Sequence, residues 1–300
     1  MSASDSRVRV AAPAKINLYL HVTGRRPDGY HLLDSLVTFA ELADEVEVRP
    51  SGALRLSVNG PFAEAVGPVD DNLVIRAARA LAARLGRAPE AAITLTKKVP
   101  VAAGLGGGSA DAAATLLALC RLWKAPLARA DLLAVGSRLG ADVPVCLQGR
   151  PMRVHGIGEL LQPAPRLPSV PVVLVCPHSK LPTPEVFSTF SGPFSRPSPI
   201  ERDLAEVESL ARALAQRAND LTEPASELCP EVRTVLHALG TTPECRLARM
   251  SGSGPSCFGV YDHAAAATTA ARALAGRGWW VAASRTMRSS GGASVNHILR

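Results

Sequence analysis

The sequence predicts an α+β protein with two domains. The chain has 300 residues, of which 47% are hydrophobic, and this is enough to build two sizeable cores. Strand-like and helix-like patterns are mixed along it, and a proline-rich passage near residues 150–170 separates two such regions. We therefore predict an N-terminal domain of residues 1–160 and a C-terminal domain of residues 161–300.

The individual elements follow from the spacing of the apolar residues. In the first domain, alternation predicts strands near 7–22, 45–58 and 93–97, and helical periodicity predicts helices near 72–85, 109–123 and 131–139. In the second domain, the same criteria predict strands at 172–176, 246–250 and 257–261 and helices at 203–217, 231–239 and 264–275. Residues 191–199 are expected to form an irregular surface loop.

The most informative segment is a glycine-dense loop that enters a helix, from Pro100 to Leu117. Its four glycines, at 104, 106, 107 and 108, let the backbone adopt positive φ and approach a ligand closely. We expect the helix to begin at Ser109 or Ala110 and to face the core with one apolar stripe of residues 113, 116, 117 and 120. The free N–H groups of its first turn favour an anion, which indicates a phosphate-binding loop.

Two common nucleotide motifs do not fit this loop. A Walker loop ends in Gly-Lys-Ser/Thr, whereas this loop ends in Gly108-Ser109-Ala110 and has no lysine for the β- and γ-phosphates. A dinucleotide fingerprint needs glycine or alanine at the position of Ser109. It also needs an acidic residue at the end of the following strand, whereas Asp131 lies in another helical pattern. A flexible glycine linker is the remaining alternative to a phosphate loop.

A polar strand face is predicted near the N-terminus. Alternation places Lys15, Asn17, Tyr19 and His21 on one face of the first strand, with apolar residues on the other. This face is either part of a site or an exposed surface with a solvated lysine.

A tight turn is predicted directly after this strand. Pro27-Asp28-Gly29 presents Tyr30 and His31 just beyond the turn. The two rings either stack on a planar group or plug the base of a hairpin. A second glycine-serine turn, at residues 250–258, joins two predicted strands and offers further backbone donors.

Asp142 is an acidic residue in apolar company, between Gly140 and Pro144. A buried carboxylate is costly unless it is paired. Asp142 therefore either caps a helix end or turn locally, or is held in place for chemistry.

Composition argues against several classes of protein. The net charge is +7, but the basic residues are scattered and only 4% of residues are aromatic, so we expect no nucleic-acid partner. The six cysteines form no C-x-x-C pair and are expected to be reduced core residues. The sequence has neither a membrane-length apolar run nor a signal-like start, so we expect no membrane association and a cytoplasmic location.

Three of these segments, in this order, resemble the GHMP kinases, which include galactokinase, homoserine kinase, mevalonate kinase and phosphomevalonate kinase. Residues 13–18 (PAKINL) resemble the first family motif, residues 100–116 (PVAAGLGGGSADAAATL) the ATP-phosphate loop, and residues 251–259 (SGSGPSCFG) the C-terminal glycine motif. The resemblance implies a two-domain GHMP kinase fold, with a left-handed βαβ unit in an N-terminal ATP-binding domain and a ferredoxin-like C-terminal domain. The active site is then expected between the domains.

Three further strings narrow the resemblance within the family, namely GRRPDGYH at 24–31, GADVPVCL at 140–147 and PTPEVF at 182–187. They are similar to members that act on a cytidine-diphosphate-linked sugar alcohol. The implied reaction is ATP-dependent phosphorylation of the 2-hydroxyl of 4-diphosphocytidyl-2-C-methyl-D-erythritol, in the non-mevalonate pathway to isoprenoid precursors. ATP and Mg²⁺ are the implied cofactors.

The resemblance also implies a role for each site residue. Asp142 is then the catalytic base, with Lys15 close by to keep it ionised and to neutralise charge on the reacting oxygens. The implied ATP-binding residues are Pro100, Val101, Ala102, Ala103, Gly104, Leu105, Gly106, Gly107, Gly108 and Ser109, with Asn72 and Lys97 near the adenine. The implied substrate-binding residues are Asn17, Tyr30, His31, Thr183 and Phe187. Ser109 is the implied magnesium ligand, and the pyrimidine is expected between the rings of Tyr30 and Phe187.

Three alternatives remain open. The first is another kinase of the family, which acts on homoserine or mevalonate. The second is a non-catalytic ligand sensor built on the same fold, and the third is a basic nucleic-acid-binding module. The choice between a monomer and a homodimer is open as well.

Overall fold

The computed structural model describes residues 7–68 and 71–288. The strands of the described chain are β1 (Val8–Arg25), β2 (His31–Arg49), β3 (Arg55–Asn59), β4 (Ala92–Thr96), β5 (Met152–Gly156), β6 (Leu160–Pro163), β7 (Pro171–Pro177), β8 (Cys245–Met250), β9 (Cys257–Tyr261) and β10 (Trp279–Arg285). Its helices are α1 (Leu73–Arg84), α2 (Gly107–Leu122), α3 (Arg129–Leu139), α4 (Val143–Gln148), α5 (Thr183–Thr189), α6 (Val207–Ala215), α7 (Thr222–Leu228), α8 (Glu231–Gly240) and α9 (Ala264–Leu274).

The first sheet is built around the long strand β2. The order of its strands is β3-β4-β2-β5-β6, and β1 also pairs with β2, in antiparallel fashion and along most of its length. β3 and β4 are parallel neighbours joined through α1, so this sheet contains a βαβ unit. The left-handed crossover of this unit stays a prediction.

The second sheet has the ferredoxin-like arrangement. Its order is β10-β7-β9-β8, and every neighbouring pair is antiparallel. Numbered within this sheet alone, the order is 4-1-3-2, with helices between strands 1 and 2 and between strands 3 and 4. The prediction of a two-domain α+β fold with a ferredoxin-like second part is therefore confirmed.

A shared apolar core connects the two sheets. Ile16 and Leu18 of β1 lie in the same cluster of buried side chains as Leu174 of β7 and Phe258 of β9. β1 also makes one parallel bridge, between Leu20 and Asn219 in the second half of the chain. The first strand therefore belongs structurally to both halves.

Several predicted boundaries are wrong. The single strand predicted at 45–58 is two elements, because Pro50 follows β2 and a Ser51-centred turn separates it from β3. The helix predicted from 203 begins at Val207, because Glu206 and Ser209 form a capping box there. Residues 31–44 of β2 were not predicted, nor were β5, β6, β10, α4, α5 and α7.

The phosphate-loop helix differs from its prediction in two respects. α2 begins at Gly107 rather than at Ser109 or Ala110, because Gly106 adopts the left-handed conformation at its N-cap. All of residues 110–120 are buried, so the single apolar stripe is wrong. α1, α3, α4 and the first sheet all pack on α2, and its many alanines permit this close approach.

The predicted alternation of β1 is interrupted. The pairing with β2 shifts register between Pro13 and Lys15 and again between Asn17 and Tyr19. Every residue from 14 to 22 is also buried, on both faces of the strand, because α2 and the second sheet both pack on β1. The alternative of an exposed strand face with a solvated lysine is excluded, because Lys15 is only 5% exposed.

Other predictions are confirmed. The tight turn at residues 26–30 forms, with Gly29 at φ +91° and the Arg26 N–H donating to the Tyr30 carbonyl at 2.8 Å. Residues 191–199 have no regular secondary structure. All six cysteines are free, five of them buried and Cys245 half-buried. The described residues include no helix that is both long and apolar enough to cross a membrane.

Candidate active site

A buried lysine and an exposed aspartate form the centre of the site. The Lys15 Nζ atom lies 2.7 Å from Asp142 Oδ2, across 127 positions of sequence. The lysine side chain is 7% exposed, whereas the aspartate side chain is 44% exposed and reaches solvent. Asp142 stands at the N-cap of α4 but its side chain makes no capping hydrogen bond. The carboxylate is therefore held by Lys15 and not by the helix end.

The glycine loop packs directly on Lys15. The Lys15 backbone N–H donates to the Leu105 carbonyl at 2.8 Å, which ties the loop to β1. A Cβ atom at Gly106 would lie 3.0 Å from the Lys15 Cβ and 3.3 Å from its Cε. Because of this contact, and of its φ of +64°, the position suits glycine.

The loop presents the N-terminus of α2. Ala102, Gly104 and Gly106 all have positive φ, and the path between them brings the chain round to Gly107. No side chain caps the helix, so N–H groups of its first turn remain available to a bound anion. The alternative of a flexible linker is excluded, because backbone hydrogen bonds fix this loop to β1 and to the turn before β9.

The second glycine turn closes on the first. The Ser256 N–H donates to the Ala103 carbonyl at 3.2 Å, and a Cβ atom at Gly104 would lie only 2.3 Å from the Gly254 carbonyl oxygen. The two motifs are about 150 positions apart in the sequence but in direct contact in the fold. Neither turn alone would suggest this contact.

Asn17 lies beside the pair and keeps an unused acceptor. Its backbone N–H donates to Ser251 Oγ at 3.1 Å, and its side-chain Nδ2 donates to Ser35 Oγ at 2.8 Å. The Asn17 Oδ1 atom is buried and has no hydrogen-bond partner among the described residues. A buried acceptor in this condition is unfavourable until a donor reaches it.

The two residues predicted near the adenine are both engaged by the protein. Asn72 caps α1, its Oδ1 accepting from the Val74 N–H at 2.9 Å. The Lys97 ammonium lies 2.5 Å from Asp44 Oδ2 and 2.8 Å from Asp111 Oδ2. Burial lowers the pKa of Lys97, but the two carboxylates outweigh it and hold that pKa above its usual value. Contact of either residue with adenine stays a prediction.

Asp111 is the weaker of the two carboxylate partners of Lys97. Burial raises the pKa of Asp111 to about 7. The neighbouring Asp44 carboxylate also raises this pKa, and the Lys97 ammonium offsets only part of the increase. Asp44 has additional donors, since its Oδ1 accepts the N–H groups of Lys98 at 2.5 Å and Val99 at 2.8 Å. One ammonium thus serves two buried acids unequally.

An aromatic group lies at the other end of the site. The His31 ring stacks on Phe187 with 5.4 Å between ring centroids, and meets Phe190 edge-on at 5.7 Å. Burial, and then the Arg25 charge, lower the pKa of His31, which favours a neutral ring. Tyr30 is 61% exposed, so it does not plug the hairpin base. The predicted pyrimidine sandwich between Tyr30 and Phe187 stays a prediction.

Thr183 joins the aromatic end to the glycine turn. Its Oγ1 lies 2.8 Å from Ser253 Oγ, so the start of α5 contacts the 250–258 turn. The helix that carries Thr183 and Phe187 therefore contacts the same turn that packs against Gly104 of the phosphate loop.

The side chains near the loop fit a magnesium ion only if a bound nucleotide supplies most of its ligands. The described residues contain no group of three or more His, Cys, Asp or Glu side chains arranged to hold a metal. Ser109, half-buried in the first turn of α2, offers one hydroxyl beside the N-terminus. Mg²⁺ commonly takes few protein ligands and several phosphate and water oxygens, which is compatible with this arrangement.

A partly open cavity elsewhere is not the site. It measures about 190 Å³ and lies between the first sheet and α2, against Ala40, Ala113 and Cys146. Neither Lys15 nor Asp142 lines it, and its walls are mainly apolar. Glu41 is the charged residue that lines it, so it lacks the cation that phosphoryl transfer requires.

The region also contains residues to which the sequence analysis gave no individual role, namely Ser35, Asp44, Asp111, Phe190, Ser251 and Ser253. Asp111 carries a visible signal, because it is an acid within an otherwise apolar helix. Ser251 and Ser253 lie in the glycine-serine turn that the sequence indicates, but their contacts depend on partners more than ten positions away, as do those of Ser35, Asp44 and Phe190.

Comparison with known proteins places this geometry in context. Models of the GHMP kinases N terminal domain and of the GHMP kinases C terminal match residues 72–150 and 198–278. A 4-diphosphocytidyl-2-C-methyl-D-erythritol kinase of Rhodospirillum rubrum is 48% identical over 285 residues, covering 94% of this chain and 93% of that protein. The kinase of the same description from Paramagnetospirillum magneticum is 52% identical over 275 residues, covering 91% of this chain and 96% of that protein.

Solved structures give the same result. A crystal structure of 4-(cytidine 5'-diphospho)-2C-methyl-D-erythritol kinase is similar with a TM-score of 0.78 and 38% identity, covering 95% of this chain and 100% of that chain. A homoserine kinase from Cytophaga hutchinsonii gives a TM-score of 0.71 at 19% identity, covering 97% of this chain and 98% of that one. At this lower identity, the likeness shows a common fold alone.

Proposed function

The chain belongs to the GHMP kinase family, and we propose on this basis that it transfers the γ-phosphoryl group of ATP to the 2-hydroxyl of 4-diphosphocytidyl-2-C-methyl-D-erythritol. This reaction belongs to the non-mevalonate pathway to isoprenoid precursors. The observation that carries the proposal is the Lys15–Asp142 ion pair, packed against the loop that leads into the N-terminus of α2. It combines an exposed base, a buried cation and an anion-binding helix end.

The proton transfer is assigned to Asp142. Its exposed carboxylate accepts the proton of the attacking hydroxyl, and the Lys15 ammonium, 2.7 Å from that carboxylate, offsets the negative charge on the reacting oxygens. Asn17 Oδ1, which is buried without a partner among the described residues, accepts a hydrogen bond from the substrate.

The phosphates of ATP are assigned to residues 100–109. Main-chain N–H groups of the loop and of the first turn of α2 donate to them, so that little covalent chemistry is asked of the protein. Ser109 is the residue that would hold Mg²⁺, which supplies neutralisation of the phosphate charge when bound.

The cytidine end is assigned to Tyr30, His31, Thr183 and Phe187. His31 is neutral by the direction of its pKa, so its ring offers one donor and one acceptor to the edge of a pyrimidine. The nearby rings supply faces for stacking. We expect these four residues to make the enzyme select the cytidylyl substrate over smaller alcohols.

The test is a steady-state assay with ATP, Mg²⁺ and 4-diphosphocytidyl-2-C-methyl-D-erythritol, with homoserine and mevalonate as competing acceptors. We expect turnover with the cytidylyl compound and not with the other two. Turnover with homoserine or mevalonate alone would replace the proposed substrate, and no turnover with any acceptor despite ATP binding would favour a ligand sensor. Salt-sensitive binding to single or double strands is the expectation of the nucleic-acid alternative.

Three further expectations accompany this function. We propose a cytoplasmic location and an assembly that is either a monomer or a homodimer. The division of the chain after residue 160 stays a prediction, although β6 runs across that point and pairs with β5 of the first sheet.

A further inference from the structure

One buried ammonium contacts both ends of the phosphate loop. Lys97 directly follows β4, is 2% exposed, and donates to Asp44 on β2 and to Asp111 on α2. In sequence, the phosphate loop follows Lys97 and precedes Asp111. The same side chain therefore joins the segment that enters the loop to the helix that leaves it.

The entry to the loop is fixed by Asp44. Its Oδ2 pairs with the Lys97 ammonium, and its Oδ1 accepts the backbone N–H groups of Lys98 and Val99. Three consecutive residues are thus held by one carboxylate on the central strand of the first sheet. Asp44 is itself only 1% exposed, so water does not compete for these hydrogen bonds.

The exit from the loop is fixed by Asp111. Its Oδ2 pairs with the Lys97 ammonium at 2.8 Å, and the helix start packs on the same cluster. A Cβ atom at Gly107 would lie 3.3 Å from Lys97 Nζ and 3.8 Å from Asp44 Oδ2. The first residue of α2 therefore rests on the charged cluster without a side chain between them.

The path between these two ends is conformationally demanding. Ala102, Gly104 and Gly106 all have positive φ, and for alanine this conformation is unfavourable. Such conformations persist only where the surrounding structure holds them, and the hydrogen bonds of Ala103 and Leu105 hold the middle of the loop but not its two ends. The Lys97 cluster is placed to hold them.

We propose that Lys97, Asp44 and Asp111 form a positioning clamp, which sets the distance between the two ends of loop 100–106 and so shapes it for the phosphates of a nucleotide. The clamp acts through the loop and needs no contact with the nucleotide. This inference rests on the proposed function only in requiring that the loop binds nucleotide phosphates.

A purely structural role is the competing explanation. Buried ion pairs often add little net stability, and apolar substitutes are often tolerated, so stability alone does not test the clamp. Changing Lys97 is also unsuitable, because two buried carboxylates would lose their cation and the chain would be at risk of not folding. Asp111 is the better residue to change, since Lys97 and Asp44 then remain as a neutral pair.

The experiment measures the Kd of ADP by calorimetry for the wild type, Asp111→Leu and Asp111→Asn. We expect Asp111→Leu to raise the Kd about tenfold or more, because the helix end is no longer tied to Lys97 and small displacements weaken binding strongly. Asp111→Asn keeps an oxygen for Lys97, and we expect a Kd within about threefold of the wild-type value. The KM for ATP should follow the same order, while the KM for the phosphoryl acceptor stays unchanged.

Leu119→Ala is the matched control for lost stability. Leu119 is fully buried in the same helix, two turns beyond Asp111 and outside the loop contacts. We expect it to lower the Tm while leaving the Kd of ADP unchanged. An unchanged Kd in Asp111→Leu, or an equal loss in Asp111→Asn, overturns the clamp. Failure of the wild-type chain to bind ADP overturns the proposed function as well, whereas failure to phosphorylate the cytidylyl acceptor leaves the clamp testable.

Discussion

Single side chains in this protein are placed by distant partners. Lys15 and Asp142 meet at 2.7 Å although nothing in the local sequence of either one indicates the other. The ion pair joins a buried cation to a carboxylate that remains accessible, which is what a general base near an anionic substrate requires. The resemblance to a kinase family suggested the pairing, whereas residue spacing alone left Asp142 equally explicable as a helix cap.

Asp142→Asn removes the proposed base without changing its shape. We expect kcat to fall by about 10²- to 10⁴-fold, because an amide does not accept the hydroxyl proton, while the Kd of ADP stays within about twofold. The control is Asp131→Asn, since Asp131 is also paired with a cation and is similarly exposed, at 42% against 44%. Full turnover by Asp142→Asn would remove this residue from the mechanism.

His21 predicts a pH dependence of stability. It is 5% exposed, its Nε2 accepts the Ala218 N–H at 3.2 Å, and burial lowers its pKa below 6.5, with Arg217 and Arg249 also lowering it and Asp220 and Asp34 opposing. The unfolded chain thus binds this proton more readily than the folded chain does. The contribution to stability is present above pH 6.5 and is lost as the pH falls through the lower, folded-state pKa.

The measurement is urea unfolding between pH 5 and pH 8 for the wild type and His21→Gln. Gln offers a neutral acceptor in place of the ring, so we expect its free energy of unfolding to depend less on pH below 6.5. Parallel pH profiles of the two proteins would show that His21 does not titrate on unfolding.

At the level of elements, the sequence predicted best those segments whose burial is regular. α1, α8 and α9 were located to within one or two residues, because each has one buried and one exposed face. Residues 31–44 of β2 were missed because Asp34, Ser35 and Thr38 interrupt the apolar pattern there. Tertiary partners satisfy Asp34 and Ser35, and such partners are invisible in a local window.

The contact between the two glycine loops predicts an asymmetry between two glycines. Gly104 and Gly86 have similar φ, +73° and +64°, but an added Cβ meets the Gly254 carbonyl at 2.3 Å in the first case and nothing within 4 Å in the second. We expect Gly86→Ala to cost about 1 kcal/mol from backbone strain alone. Gly104→Ala should cost a further ~1–3 kcal/mol, because backbone must move to relieve the overlap.

Thermal unfolding and ADP binding together check this expectation. Gly104→Ala should weaken ADP binding as well as lower the Tm, since the overlap displaces the phosphate loop. Gly86→Ala should lower the Tm only, because it lies beyond α1 and away from the loop. Equal effects of the two substitutions on both measurements would contradict the role given to the Gly104–Gly254 contact.

At the level of the whole molecule, β1 unites the two sheets. Its apolar residues share a core with β7 and β9, and its backbone accepts and donates hydrogen bonds across the same boundary. The local sequence does not show this arrangement, because it arises from contacts more than 200 positions apart. The site residues Lys15 and Asn17 lie on this strand, so the site and the junction are built from one element.

Arg249 of β8 connects β1 to the second half through three backbone carbonyls. It is 9% exposed and donates to the carbonyls of Leu18 on β1, Leu214 on α6 and Arg217. Arg249→Met leaves three carbonyls without this donor, so we expect a loss of about 3 kcal/mol or more in the free energy of unfolding. Arg246→Met, on the same strand, removes only an exposed pair with Asp262 and should cost less than about 1 kcal/mol.

Urea unfolding followed by two probes tests whether this connection makes the halves cooperative. Trp123, just after α2, reports on the first half, and Trp279 of β10 reports on the second. Trp280 is first changed to Phe, so that each half has one indole, and Trp123 or Trp279 is then replaced to leave a single probe. With Arg249 in place, we expect the two single-probe proteins to unfold at the same urea concentration. Because Arg249 donates hydrogen bonds both to β1 and to α6, we expect Arg249→Met to shift both transitions to lower urea concentrations. Two separated transitions would show that Arg249 is the main link that makes the halves unfold together. A shift confined to the Trp279 transition would mean that β1 is held to the second half by its apolar core alone.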